Sequence, residues 1–159
     1  MEQLDVIGYI HKYYNEVIEL QLKEEDKLEV ETLSGDTMEN VLKSTVEDYG
    51  EDFIFLIMYG NKVSGIFGVV PDKENDKIGV GIFLTDDKIK YYAKNLIRNS
   101  KIAVEYFLER YDVIYNYCPK SYKKSLKWLE KSCNATIEKQ EYNINGEIFK
   151  RFHIIKKER

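Results

Sequence analysis

The chain is poor in the residues that break or staple a fold. Its 159 residues include two prolines, two cysteines, two histidines and one tryptophan. Cys118 and Cys133 make no disulfide framework. With only His11 and His153 beside them, they make no zinc-ligand set either. Few prolines and nine glycines exclude a collagenous or low-complexity chain. No apolar run approaches the roughly 20 residues that span a bilayer, so no transmembrane helix is expected. The opening MEQLDVIGYIHKYY has no basic leader and no continuous apolar stretch, which argues against a secretory signal. Without a secretory route, the sequon Asn134-Ala135-Thr136 has no consequence. The expectation is an intracellular or packaged protein with reduced thiols.

What is present suffices for a buried core. Hydrophobic residues make up 43% and charged residues 33%, and the length fits a single domain over residues 1–159. The net charge of −4 hides an asymmetry: residues 1–52 hold fifteen acids against four bases, and residues 53–159 hold thirteen acids against twenty bases. Such a division is neutralised when the two parts pack together, or when the acidic surface of one copy meets the basic surface of another. Overall acidity argues against a dedicated nucleic-acid binder.

Periodicity outlines the elements. Val6, Ile7, Ile10, Tyr13, Tyr14, Val17, Ile18 and Leu22 predict an amphipathic helix over 5–23 that ends in Glu24-Glu25-Asp26. KLEVETL (27–33) alternates polar and apolar residues and predicts a strand, with a turn at Ser34-Gly35-Asp36. Asp36 and Glu39 have the form of a capping box before a second helix closed by Gly50. Three strands follow, at 53–59, 62–70 and 77–85, as an antiparallel meander. Gly65 and Gly68 inside the second mark a bulge or a close approach. Residues 86–111 predict a long helix or a pair broken near Asn99-Ser100. A strand (112–118), a helix (122–132) and a hairpin (135–142 and 147–155, turning at Asn145-Gly146) complete the chain.

This order resembles the GNAT (Gcn5-related N-acetyltransferase) fold, an α/β (α+β) architecture with a mixed, mostly antiparallel central sheet and helices on both faces. Within that fold the stretches VSGIFGVVPD, GIFLTDDKI, LERYDVIYNYCPKSYKKSLKWLEK and EYNINGEIFKRFHI resemble phage-encoded GNAT-like proteins, including internal virion proteins of short-tailed phages. EEDKLEVETLSGDTMENVLKSTVED resembles the acidic helix end, turn and second helix of that branch. The resemblance implies that the third meander strand and the strand after the long helix run parallel and part, admitting acyl-CoA between them. It places CoA contacts at Phe83, Leu84, Thr85, Lys88, Lys90 and Asn116.

Three landmarks depart from the family pattern. The glycine-rich loop that cradles a diphosphate at a helix N-terminus reads Thr85-Asp86-Asp87-Lys88-Ile89-Lys90, with two carboxylates where an anion should sit. Tyr122 stands at the family's Asn position, and Leu129, which has no proton to give, stands at the Tyr position. The Gly-Phe that ends the following helix is replaced near Cys133-Asn134.

Each remaining candidate has two readings. Asp86 or Asp87 would serve as a general base toward an amine, or cap a helix. Asn116, between Tyr115 and Tyr117, would bond a pantetheine amide or satisfy nearby backbone. Cys118 has no histidine placed to activate it, so an inert buried thiol is expected. The lysines from Lys120 to Lys131 would hold a phosphate or an acidic partner, or form a solvated helix face. Thirteen tyrosines suggest surfaces where another protein packs. The expectation is a virion-associated structural or packaged protein with a degraded acyltransferase site and no cofactor. Its expected partners are other virion proteins or further copies of itself. The alternative is an acetyl-CoA-dependent N-acetyltransferase acting on a host protein or small amine.

Overall fold

The computed structural model describes residues 4–7, 12–49 and 53–156. In chain order the elements are β1 (Leu4–Ile7), α1 (Tyr14–Ile18), α2 (Glu24–Ser34), α3 (Met38–Asp48), β2 (Ile54–Tyr59), β3 (Lys62–Pro71), β4 (Ile78–Thr85), α4 (Ile89–Leu108), β5 (Val113–Pro119), α5 (Lys123–Ser132), β6 (Thr136–Ile144) and β7 (Glu147–Ile155). The strands form one sheet in the order β1-β2-β3-β4-β5-β7-β6. The chain divides into two units, Met1–Val70 with Ile82–Tyr92, and Pro71–Gly81 with Ala93–Arg159.

In the first unit the run FIFLIMY becomes β2, whose Ile54, Leu56 and Ile57 are fully buried. β2 pairs antiparallel with β1 (Val6 opposite Ile57) and with β3 (Ile54 opposite Gly68). Val17 of α1 and Leu42 and Val46 of α3 are also buried. Gly68 is required by a close approach: a Cβ there would lie 2.1 Å from the main-chain oxygen of Phe53. A methyl group cannot fit without moving a strand backbone.

In the second unit Ile78, Gly79 and Val80 of β4 pair in parallel with Val113, Ile114 and Tyr115 of β5. β5 then pairs antiparallel with β7, and β7 with β6. The β6–β7 hairpin turns on Asn145 (φ 51°) and Gly146 (φ 89°), as a type I′ turn requires. The sheet is therefore mixed and mostly antiparallel.

Three expectations need correcting. The helix expected over 5–23 is instead strand β1 and the short α1; Ile10 and the rest of 8–11 lie outside the described residues. Val6 and Ile7 are β-branched, and a partner strand some fifty residues later in sequence outweighs the helical spacing. The strand expected over 27–33 is the helix α2. Its first turn carries Glu24, Glu25 and Asp26, which suit the positive end of the helix dipole, and Gly35 closes it in a left-handed conformation (φ 71°). The cap of α3 is Thr37, whose side chain accepts from the Asn40 N–H (3.3 Å), while Asp36 Oδ1 accepts from the Thr37 N–H and the Asn40 amide. Gly50, expected to close α3, lies outside the described residues. α4 runs unbroken through Asn99 and Ser100, whose side chains donate back to the carbonyls of Asn95 and Leu96, each at 2.8 Å.

Candidate functional site

β4 ends in the first unit at Leu84 and Thr85, both buried. The main chain of Thr85 is bonded by the start of α2: its N–H donates to Asp26 Oδ2 (2.8 Å), and its carbonyl accepts from the Lys23 N–H (3.0 Å). Lys23 Nζ forms an ion pair with the other oxygen of Asp26. Thr85 is fully buried, and its hydroxyl has no hydrogen-bond partner. Glu29 lies three residues after Asp26 on α2. Burial, and then the Asp26 charge, pushes its carboxyl up to about 8, with Lys23 opposing. Burial likewise raises Asp26, against the pull of Lys23 and of the Thr85 N–H.

The segment after β4 is also bonded internally. The Asp86 N–H donates to the Ser64 carbonyl (2.8 Å). Asp86 Oδ1 accepts from the Ser64 hydroxyl (2.6 Å) and from the Lys88 N–H (3.0 Å). Since the one proton of Ser64 goes to Asp86, the Tyr92 hydroxyl, 2.6 Å from Ser64 Oγ, donates in turn to Ser64. Burial holds the Tyr92 hydroxyl up at about 12, so Tyr92 remains a donor at neutral pH. Lys88 and Lys90 are exposed, and Lys90 Nζ lies 5.2 Å from the Tyr91 ring centroid.

Asn116 belongs to the second unit, one residue past the last parallel partner, Tyr115. Its amide nitrogen donates to the Gly81 carbonyl (2.6 Å), and its oxygen accepts from the Tyr117 N–H (2.7 Å). It closes the parallel ladder where pairing stops. Tyr115 donates to Asp72 (2.7 Å), a bond that holds the phenol up at about 12 and Asp72 below the usual carboxylate range. Cys118 and Cys133 are buried free thiols, and burial pushes Cys133 up to about 12.

Phe83, Leu84, Thr85, Asp86, Lys88 and Lys90 thus fall in one unit and Asn116 in the other. Sequence reasoning missed Lys23, Asp26 and Glu29. The acidic run was legible as a helix terminus, but the burial of Asp26 depends on Thr85, 59 residues away in sequence.

No protein-family model and no curated protein sequence matches the chain. Solved structures do. The GNAT-family acetyltransferase from Streptococcus pneumoniae matches over 96% of this chain and 99% of its own, with a TM-score of 0.64 and 14% identity. A probable acetyltransferase from Staphylococcus epidermidis matches over 99% of this chain and 100% of its own, with a TM-score of 0.68 and 9% identity. RimL, a ribosomal L7/L12 α-N-protein acetyltransferase in complex with coenzyme A, matches over 96% of this chain and 93% of its own, with a TM-score of 0.60 and 11% identity.

The fold is that of the GNAT acetyltransferases. At these identities the likeness concerns architecture alone. Whether a GNAT-type cofactor suits the residues present is a question of charge and of spare donors. A diphosphate needs free amides at the start of α4 and a positive local field. Here the Lys88 amide already serves the Asp86 carboxylate, Asp87 adds a second negative charge, and no glycine brings further backbone close. Lys88 and Lys90, both exposed, offset the two carboxylates in charge, so what the segment lacks for a diphosphate is a glycine and a free Lys88 amide.

Proposed function

We propose that this chain uses the GNAT fold for binding or assembly and does not turn over acyl-CoA. The observation that carries this reading is Asp86, whose carboxylate takes the Lys88 amide just ahead of α4, where an anionic ligand would sit. A second observation agrees with it: the N–H and carbonyl of Thr85 are both bonded to α2. The sequence resemblance to phage-encoded GNAT-like proteins supports a finer reading, a component packaged in a virion. Calorimetric titration with acetyl-CoA is expected to give no heat of binding, and a micromolar dissociation constant would overturn the proposal. Mass spectrometry of purified particles tests the packaged role, which fails if the protein is absent from them.

A second reading, an acetyl-CoA-dependent N-acetyltransferase acting on a protein or a small amine, is favoured by one observation. The parallel register of β4 and β5 is short, ending at Val80 and Tyr115, as the resemblance implies for a fold whose strands part around a thioester. It requires transfer of labelled acetyl groups to an amine by the purified protein.

A further inference from the structure

The charge of the sequence divides along the two structural units. The first carries seventeen acids and seven bases; the second carries eleven acids and seventeen bases. Two helix ends concentrate the imbalance, each with the wrong sign for its own dipole.

The first turn of α5 holds Lys123 and Lys124 and no acid, so two cations sit at the positive pole. Lys123, Lys127 and Lys131 recur every four residues and form one row about 12 Å long at 1.5 Å rise per residue. Like charges at that spacing repel. Lys123, Lys124, Lys127 and Lys131 are all exposed, and no ammonium group among them has a hydrogen-bond or ion-pair partner among the described residues. The row is held in place from its other side. Leu129 is buried, and Trp128 Nε1 donates to Ser100 Oγ (3.0 Å). Lys120 is not part of the row's unspent charge, because it pairs with Glu141.

The last turn of α3 is the mirror case. Glu47 and Asp48 sit at the negative pole, and that turn has no base. Glu16 of α1 is exposed as well, and the Tyr14 hydroxyl of α1 donates to Glu47 (3.0 Å). Glu47 and Asp48, adjacent and exposed, make up the acidic end of α3, to which the Tyr14 hydroxyl of α1 is bonded. Each cluster is destabilised alone, and each has the charge that would relieve the other.

We infer that the α5 lysine row of one copy docks on the acidic Glu47–Asp48 end of α3 of a second copy, head to tail. The net charge of −4 opposes approach to a polyanion such as nucleic acid or an anionic bilayer, and a second copy brings a matching acidic patch of its own. The contact is heterologous, so each copy has one donor face and one acceptor face, and assemblies grow with concentration. The inference does not depend on whether coenzyme A binds.

Sedimentation velocity on the full chain tests it. At low salt the mean mass is expected to rise with protein concentration. At about 0.5 M salt, where the Debye length falls to roughly 4 Å, it is expected to return to monomer. The triple variant K123E/K127E/K131E and the double variant E47K/D48K are each expected to stay monomeric at low salt, with far-ultraviolet circular dichroism reporting that they remain folded. An equimolar mixture of the two is expected to assemble again. The untouched acidic patch of the first meets the untouched lysine row of the second, and the two reversed faces also attract. A monomer at every concentration in low salt overturns the inference, as does a lysine-reversed variant that assembles like the parent, or a mixture that stays monomeric. A monomeric parent that binds phosphatidylserine vesicles or duplex DNA overturns it too, and assigns the lysine row to a different partner.

Discussion

At the scale of single residues, Glu29 gives the protein a distinctive response to pH. Burial raises its carboxyl from 4.5 to about 8 in the folded chain. Between those values the folded state holds a proton that the unfolded state has released, so stability falls as pH rises through the window and levels off above it. Glu29→Gln is expected to remove that slope and to be more stable than the parent above pH 8. Urea titrations of both proteins at acidic and alkaline pH decide it, and parallel profiles would refute the assignment. Gly68 makes a steric prediction: Gly68→Ala drives a methyl group into the Phe53 carbonyl and is expected to lower stability by about 1–3 kcal/mol by denaturant unfolding. The tight passage at Gly68 was legible, because glycine inside an apolar strand has few other uses. The Lys23–Asp26–Glu29 group was not. A carboxylate's burial is set by what folds against it, and nothing near Asp26 in sequence announces Thr85.

At the scale of elements, local punctuation proved more informative than periodicity. KLEVETL reads as a strand by alternation, yet three acids before it and a glycine after it are helix signals, and α2 obeys them. Val30 is buried and Leu28 is half exposed, so the two apolar residues that suggested a strand face do not share one. β1 was illegible for a different reason, since its pairing with β2 joins residues far apart in sequence. The β6–β7 hairpin was fully legible, because Asn145-Gly146 fixes the turn by its own backbone preferences. Two substitutions probe the helices. Thr37→Ala removes the N-cap of α3 and is expected to cost about 1 kcal/mol. Ser100→Ala removes the partner of Trp128 Nε1 and is expected to cost about as much. Because Trp128 is the single tryptophan, its emission is expected to shift in the second variant and to stay constant in the first.

At the scale of the whole molecule, the order of strands and helices after residue 53 carried the fold, and the structural neighbours agree with it. The diphosphate loop was legible as a departure from pattern; that Asp86 spends its charge on Ser64 and Lys88 was not. Both cysteines are buried. Their labelling by a thiol reagent is therefore expected to be slow in the folded protein and to accelerate with denaturant in step with unfolding. Rapid stoichiometric labelling of the native protein would contradict this burial.

The chain passes between its two units three times, after Val70, after Gly81 and after Tyr92. Neither unit is a continuous stretch, and both β4 and α4 are divided between them. No single cut of the gene releases either unit intact. Recombination at a single point cannot exchange one while sparing the other, and a truncation meant to isolate either unit removes pieces of both. Neither folded unit can be inherited without part of the other.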